Sequence, residues 1–330
     1  MTDALHDRLA AGCETHFVEA NGVTLRVVSR GKGPLVLFVP GFPEIWSSWR
    51  HQLAPVAQAG FRAEAIDVRG YGGSSKPQAR EAYGLVHMAG DVAALIDLHG
   101  GGEAILIGHD WGAAIVYTAA LLYPRKVRAL AGMAGQYRKY HPAPPKSLMD
   151  SHFKDSFFYQ HYFQTEGTGE AEFQRDIRTG LRKFYYSLSA AGADAPFRFI
   201  KPKGSDLLSD VAAPTAMPAW FTKDDEDYCV ANFTASGFRG PINRYRCVDD
   251  DWHALRAYAD KPLEQPSLFI GGAKDPVRWM DPRADAFESA GDLLADCRGV
   301  HVIDGAGHWV QQEQPEAVNR CLLKFLNEVR

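Results

Sequence analysis

Hydrophobic and polar positions along the first 135 residues follow two different spacings in turn. Short apolar or alternating runs are typical of strands, whereas apolar residues at every third and fourth position are typical of helices. These spacings predict strands at 24–30, 35–39, 61–68, 104–107 and 127–133, and helices at 44–60, 86–98 and 113–123. Strands separated by helices favour a mostly parallel sheet that is covered by helices on both faces.

The pattern changes beyond residue 135. A proline-rich stretch at 136–147 is followed by helical spacing with aromatic clusters, and no strand of a parallel sheet is evident there. Strand and helix patterns of the earlier kind then return, at 268–272, 301–303 and 315–329. We therefore expect an α/β core that is interrupted by a helical cap. The predicted segments are the first part of the core at 1–134, the cap at 135–262 and the second part of the core at 263–330.

The composition is ordinary for a globular protein, with 46% hydrophobic residues, 23% charged residues and a net charge of −4. This balance gives no reason to expect a nucleic acid or an anionic membrane as a partner. The five cysteines form no Cys-x-x-Cys pair, so neither a disulfide framework nor a zinc site is indicated. Residues 1–17 lack the pattern of a signal peptide, and no apolar run is long enough to span a membrane. We therefore expect a cytoplasmic protein with reduced thiols.

Residues 106–113 read LIGHDWGA, an apolar run that meets a Gly-x-Asp-x-Gly turn before a helical pattern. A strand that ends in Gly-x-nucleophile-x-Gly and enters a helix is the nucleophile elbow of hydrolases. The helix directs its N–H groups and positive dipole end at the turn, which favours a carboxylate at Asp110. The alternative is that Asp110 only caps the helix. We expect the neighbouring His109 to be a supporting side chain and not the catalytic base.

Two further residues complete a predicted catalytic triad. In this kind of fold the chain order is nucleophile, acid, histidine. Asp275 follows the apolar run LFIGG, and His308 follows the strand pattern HVIDGAG, so both stand at strand ends. Alone, Asp275 could be a turn residue and His308 a packed core residue. Together with Asp110, in this order, they indicate a histidine that is oriented by a carboxylate.

The oxyanion donors are expected from the loop VPGFPEIW at residues 39–46. Two prolines fix the backbone on either side of its central dipeptide. We predict that the backbone N–H groups of Phe42 and Trp111 form the oxyanion hole. We also expect Pro43 and Trp309 to line the substrate pocket.

An aspartate at the elbow limits the reaction. After attack on a saturated carbon, a serine would be left as an ether, whereas an aspartate forms an ester that activated water can cleave. The candidate substrates are therefore epoxides and alkyl halides. A halide leaves as an anion and needs only N–H donors, whereas an epoxide oxygen needs a proton, which a tyrosine can supply. Spacing alone does not select the acid among the 13 tyrosines.

Motifs over nearly the whole chain resemble the epoxide hydrolases of the α/β-hydrolase fold, namely GFPE, DVRGYGGSSKP, GHDWGA, YQHYF, SGFRGPINRYR, LFIGGAKDP and GHWVQQEQPE. The resemblance is closest to bacterial members similar to the hydrolase domain of the mammalian soluble enzyme. It implies a mostly parallel sheet flanked by helices, with an inserted helical cap. It further implies Asp110 as nucleophile, His308 and Asp275 as base and charge partner, and Tyr159 and Tyr245 as ring-opening acids.

The same resemblance implies hydrolysis of a small apolar epoxide to a vicinal diol without a cofactor or metal. Many members are dimers, so a homodimer is also implied. One departure is Pro40, which stands where the family usually has a histidine that supports the oxyanion loop by hydrogen bonds.

Two alternative functions stay open at this point. A haloalkane dehalogenase could use the indole of Trp111 to bind a halide, but Phe42 stands where many such enzymes have a second donor, an asparagine. A non-catalytic ligand-binding member of the fold is the other alternative, and the presence of all three triad residues argues against it.

Overall fold

The computed structural model describes residues 2–138, 140–281 and 283–330. Met1, Pro282 and Lys139, the last within the proline-rich stretch, lie outside the described residues. The strands are β1 Glu14–Ala20, β2 Val23–Arg30, β3 Leu35–Val39, β4 Arg62–Ile66, β5 Ala104–His109, β6 Val127–Met133, β7 Ser156–Phe158, β8 Ile200–Pro202, β9 Leu263–Gly272 and β10 Leu294–Ile303.

Helices surround these strands along the described chain. They are α1 Thr2–Leu9, α2 Arg50–Gln58, α3 Leu85–His99, α4 Trp111–Leu122, α5 Pro145–His152, α6 Tyr159–Tyr162, α7 Thr168–Arg175, α8 Ile177–Leu188, α9 Lys223–Ser236, α10 Arg239–Arg246, α11 Val248–Leu255, α12 Val310–Glu313 and α13 Pro315–Glu328. Among the residues that the structure describes, no helix is both long enough and apolar enough to cross a membrane.

The central sheet has eight strands in the order β1-β2-β4-β3-β5-β6-β9-β10. From β4 to β10 neighbouring strands run parallel, and β1 and β2 form an antiparallel edge. Every residue of β3 and β5 is buried, because helices cover both faces of a parallel sheet. The predicted fold class, a mostly parallel sheet flanked by helices, is confirmed.

Most core elements lie close to their predicted bounds. Strand β6 has the predicted bounds, and helices α3, α4 and α13 agree within two residues. The N-terminal pair α1 and β1 was not predicted. Strand β1 lies at the sheet edge, where side chains such as Phe17 stay exposed, so its apolar residues do not form the run that marks a buried strand.

The order of the strands in the sheet departs from their order in the chain at β3 and β4. Strands β2 and β3 follow each other through the short turn at 31–34, but β4 lies between them and pairs with both. Strand β4 follows helix α2 and runs parallel to β3, as in a strand-helix-strand unit with a helical crossover.

Between β6 and β9 the described chain forms seven helices and the small β7–β8 pair, and none of these joins the central sheet. This segment contains the predicted cap. The individual domain boundaries at 134/135 and 262/263 stay a prediction. The carboxyl end of helix α8 lies against the loop that follows β10, with a hydrogen bond from the His308 N–H to the Leu188 carbonyl.

Candidate active site

Asp110 stands between the end of β5 and the start of α4, in the turn predicted as a nucleophile elbow. Its backbone has φ 52° and ψ −119°, an uncommon conformation for a residue with a side chain. A Cβ at Gly108 would overlap the backbone of Gly112, and a Cβ at Gly112 would overlap the carbonyl of Val39. The two glycines therefore let strand, turn and helix approach closely enough to hold Asp110 in this conformation.

Two backbone N–H groups act on the carboxylate of Asp110. The Phe42 N–H donates to Oδ1 at 2.8 Å, and the Trp111 N–H, at the start of α4, helps to lower the pKa of the carboxyl group. Burial raises the pKa of Asp110 above its usual value, while His308 and these N–H groups partly oppose the shift. Both predicted oxyanion donors thus lie at the carboxyl group of Asp110. The Phe42 N–H binds Oδ1 and does not bind Oδ2.

The loop that carries Phe42 is supported despite Pro40 in place of the family histidine. The Gly41 N–H donates to Oε2 of Glu44 at 3.1 Å, and the Glu44 N–H donates back to the Gly41 carbonyl at 3.0 Å. From the cap, the Tyr185 hydroxyl donates to the Pro43 carbonyl at 2.9 Å. These bonds fix the loop without a hydrogen-bonding side chain at position 40.

His308 lies between the two carboxylates that the sequence predicted as its partners. Its Nδ1 lies 3.0 Å from Oδ2 of Asp275, and its Nε2 lies 3.9 Å from Oδ2 of Asp110. The Val277 N–H donates to the other oxygen of Asp275 at 2.8 Å, so this carboxylate is fixed. With Nδ1 turned to Asp275, Nε2 faces Asp110, as a base that activates water beside that residue requires.

The charge of His308 depends on these carboxylates. Burial alone would lower the pKa of His308, but Asp275, through charge and a hydrogen bond, and Asp110 outweigh burial and raise it to about 9. The raised pKa favours the protonated form of His308 near neutral pH.

His109 is a buried link behind the triad, in the supporting position predicted for it. Its Nδ1 lies 2.6 Å from Oε2 of Glu44, and its Nε2 lies 2.8 Å from the His308 carbonyl. Burial would raise the pKa of Glu44, but His109 holds it below the usual value. Sequence reasoning missed Glu44 and two further donors to its Oε1, Gln311 at 2.9 Å and Gln312 at 3.1 Å.

Tyr159 and Tyr245 meet beside Asp110, although they lie in different cap helices. Their ring centroids are 5.9 Å apart at 77°, and the Tyr245 ring packs edge to face on Trp111 at 5.1 Å. Burial, with a contribution from Asp110, raises the pKa of both phenols. The Gln160 amide donates to the Tyr159 oxygen at 2.7 Å, which leaves the O–H of Tyr159 available to another acceptor. Sequence reasoning missed Gln160.

Arg244 is a buried cation against the other face of this cluster. Its guanidinium lies 4.8 Å from the centre of the Trp111 ring, and it forms an ion pair with Asp251 and a hydrogen bond to the Tyr83 carbonyl. Burial lowers its pKa to about 10. The stacking holds the indole of Trp111 beside Asp110. No sequence signal singled out Arg244.

A cavity of about 360 Å³ opens onto Asp110 between the core and the cap. This volume lies within the range of small-molecule sites. Its walls are mainly apolar and aromatic, and they include Trp111, Ala114, Tyr117, Leu121, Tyr159, Gln160, Val248, Trp252, Leu255 and Met280. The Asp110 side chain is 24% exposed, so a molecule in the cavity can reach it.

The predicted pocket residues Pro43 and Trp309 are not among the described residues that line this cavity. Trp309 is fully buried, packs on Tyr185 with ring centroids 4.4 Å apart and donates its indole N–H to the Tyr185 carbonyl at 2.8 Å. The place of both residues in the substrate pocket therefore stays a prediction.

Comparisons with known proteins agree with this geometry. Residues 34–315 match the family model of the alpha/beta hydrolase fold. The chain is 38% identical to epoxide hydrolase A of Mycobacterium tuberculosis over 94% of this chain and 96% of that protein. It is 32% identical to the bifunctional epoxide hydrolase 2 of Mus musculus over 92% of this chain and 54% of that longer protein. The solved structure of an epoxide hydrolase from an endophytic Streptomyces superposes with a TM-score of 0.92, at 40% identity and 97% coverage of both chains.

Proposed function

The chain belongs to the epoxide hydrolases of the alpha/beta hydrolase fold, and on this premise we propose that it opens epoxides through an ester on Asp110. The observation that carries the proposal is that the rings of Tyr159 and Tyr245 meet beside Asp110, and that burial raises the pKa of both phenols and so keeps them protonated. The Phe42 N–H binds Oδ1 of Asp110 and leaves Oδ2 without that bond. The free Oδ2 attacks carbon while a phenol protonates the oxygen that leaves.

The first step forms the ester. Oδ2 of Asp110 attacks one epoxide carbon, the carbon–oxygen bond breaks, and the oxygen takes a proton from Tyr159, assisted by Tyr245. The product is a hydroxyalkyl ester and one tyrosinate. Gln160, which donates to the Tyr159 oxygen, also stabilises the negative charge that forms there.

The second step cleaves the ester. Asp110 has lost its charge, so the pKa of His308 falls and the imidazolium releases its proton to solvent, to be taken up again when Asp110 is ionised at the end of the cycle. The neutral Nε2 can then take a proton from water. The hydroxide adds to the carboxyl carbon, and the oxyanion forms at Oδ1, where the Phe42 and Trp111 N–H groups stabilise it. Collapse releases the diol, which takes the proton from His308, and the proton of the restored carboxyl returns to the tyrosinate.

The dehalogenase alternative receives less support. The N–H of Phe42 is occupied by Asp110, and the Phe42 side chain offers no donor for a halide. Two phenols that stay protonated fit an oxygen leaving group, which needs a proton, better than a halide, which does not.

The mainly apolar cavity wall favours a small apolar epoxide as substrate. We retain the cytoplasm as location, from the cysteine usage, and a homodimer as assembly, from the family resemblance, together with the expectation that neither nucleic acid nor membrane is a partner.

A single-turnover experiment in heavy-oxygen water, with enzyme in excess over styrene oxide, tests the covalent scheme. The diol of the first turnover should be unlabelled, and the label should appear in the peptide that contains Asp110. A labelled first-turnover diol would show direct attack by water and refute the ester. Parallel assays with 1-bromoalkanes should release no bromide, and bromide release at a rate similar to diol release would favour the dehalogenase.

A further inference from the structure

The last turn of helix α8 and the two residues after it, together residues 185–190, lie directly against the loop that carries His308. The His308 N–H donates to the Leu188 carbonyl at 2.8 Å. A Cβ at Gly307 would overlap the backbone of Ser189 and Ala190, so two backbones touch at this point. The same turn reaches the oxyanion loop through the hydroxyl of Tyr185. One turn of the cap thus contacts the loops on both sides of Asp110.

Glu313 joins these two backbones. Its Oε2 accepts the Ala190 N–H at 2.8 Å and the Gly307 N–H at 3.1 Å, while its Oε1 accepts the Trp309 N–H at 3.0 Å. Gly307 and Trp309 are the residues on either side of His308. A single carboxylate therefore holds both flanks of the predicted base and ties them to the cap.

The Glu313 carboxylate is in an unfavourable place for a charge. Burial raises the pKa of Glu313 to about 7, although its three backbone donors favour the ionised form. A partly buried carboxylate that accepts three N–H groups fixes the relative position of the segments that supply them. Here those segments are the base loop and the end of α8.

We propose that Glu313 is a positioning residue for His308. Glu313 sets the distance from Nε2 of His308 to Asp110 and makes that distance depend on the position of helix α8. The inference rests on the proposed function. Ester formation uses Asp110 and the tyrosines, whereas ester cleavage needs His308 as a base. The effect of Glu313 therefore falls on the second step.

The Glu313→Gln variant removes the positioning with little change in volume. An amide has one acceptor oxygen, so its NH₂ group must face either the Trp309 N–H or the pair from Ala190 and Gly307. Glu172→Gln is the matched control, because the Glu172 carboxylate also accepts two backbone N–H groups, from Leu207 at 2.9 Å and Leu208 at 2.6 Å, but within the cap.

A second variant separates the cap contact from the carboxylate itself. Ala190→Pro deletes the N–H that the cap donates to Glu313 and places the proline Cδ where that hydrogen was, so it breaks the cap contact while the Glu313 side chain is retained. Position 190 is the first residue of a 3₁₀ turn, and Ser189 before it is extended at φ −84° and ψ 165°, so both residues are compatible with proline.

Stopped-flow and steady-state kinetics with styrene oxide test the proposal. Displacement of a catalytic group by a fraction of an ångström to one ångström slows its step by about 10- to 100-fold. For Glu313→Gln we expect kcat and KM to fall together by about tenfold, with kcat/KM within about twofold of wild type, because only ester cleavage is slowed. Intact mass should show the ester on Asp110. Ala190→Pro should give a smaller change in the same direction, and Glu172→Gln none.

Two outcomes would overturn the inference. One is cleavage of the ester at the wild-type rate in both Glu313→Gln and Ala190→Pro. The other is a loss of kcat/KM as large as that of kcat, which would indicate general damage to the fold. If Glu313→Gln does not fold, the comparison of kcat with kcat/KM in Ala190→Pro alone tests the proposal. Absence of any ester in His308→Gln, despite bound substrate, would instead refute the proposed function.

Discussion

Nε2 of His308 lies 3.9 Å from Oδ2 of Asp110. This proximity couples the protonation of the base to the chemical state of the carboxylate. In the free enzyme the negative charges of Asp275 and Asp110 raise the pKa of His308 to about 9 despite burial. In the ester the Asp110 charge is gone, so burial weighs more and the pKa of His308 moves down.

We predict that Asp110→Asn, which mimics the loss of charge, lowers the pKa of His308 below 9. Titration of the imidazole by NMR measures it directly. Ester cleavage in the wild type should then lose rate as pH falls through this lower pKa, because the base becomes protonated. An Asp110→Asn enzyme with an unchanged pKa of His308 would contradict the coupling. Glu172→Gln, whose carboxylate lies in the cap, serves as a control that should leave the titration unchanged.

His308→Gln should stop the reaction after its first step. Glutamine cannot take the proton from water, so ester cleavage should slow by about 10³-fold or more. Ester formation keeps Asp110 and both tyrosines and should continue. Mass spectrometry of the protein after mixing with substrate should detect one added substrate mass. Continued turnover at a rate near wild type would exclude His308 as the base.

Tyr159→Phe and Tyr245→Phe should each slow ester formation. One remaining phenol still supplies a proton, so we expect a loss of about tenfold for each single variant and about 10³-fold for the double variant. Because burial raises the pKa of both phenols, ester formation in the wild type should not decline up to pH 10. Pre-steady-state fluorescence of Trp111 can follow this step.

Tyr162→Phe is the matched control for the tyrosines. Tyr162 lies in the same short helix as Tyr159, but its hydroxyl donates to Glu172 at 2.8 Å and not to the site. Its rate of ester formation should equal that of wild type. Equal rates in all three single variants would remove the tyrosines from the mechanism.

Glu44→Gln should destabilise the fold. The side chain of Glu44 is fully buried and accepts hydrogen bonds from Gly41, His109, Gln311 and Gln312. Breaking a buried ion pair from one side costs about 3 kcal/mol or more of unfolding free energy. Urea denaturation measures the loss, and Glu316→Gln on the exposed face of α13 should change stability by less than about 0.5 kcal/mol. Equal midpoints for the two variants would contradict the role of Glu44.

The sequence was sufficient for the parts of the molecule that follow local rules. The period of apolar residues predicted the strands and helices around the site, and the chain order of Asp110, Asp275 and His308 predicted which residues would meet. The helix N-terminus and the preceding loop predicted the two N–H donors. The choice of Tyr159 and Tyr245 needed the family resemblance, since aromatic residues in helices have no spacing that marks an acid.

The supporting contacts could not be predicted, because they join residues that are far apart in sequence. Glu313 and Ala190 are 123 positions apart, and Glu44 and Gln311 are 267 apart. No local pattern distinguishes a buried carboxylate that accepts backbone N–H groups from one in solvent. These hydrogen-bond partners can be identified only from the folded structure, in which the cap packs on the core.

The single bond from the Phe42 N–H to Oδ1 of Asp110 makes the two oxygens of one side chain different. Oδ1 stays in the enzyme, whereas Oδ2 leaves with the diol and is replaced by an oxygen from water. The protein is therefore a stoichiometric reagent as well as a catalyst. In every cycle it gives one oxygen atom to the diol and takes one from water. After many turnovers in labelled water, the Oδ2 position of Asp110 should carry oxygen from the solvent. The Oδ1 position, which is hydrogen-bonded to the backbone, should still carry the oxygen that was present when the protein was synthesised.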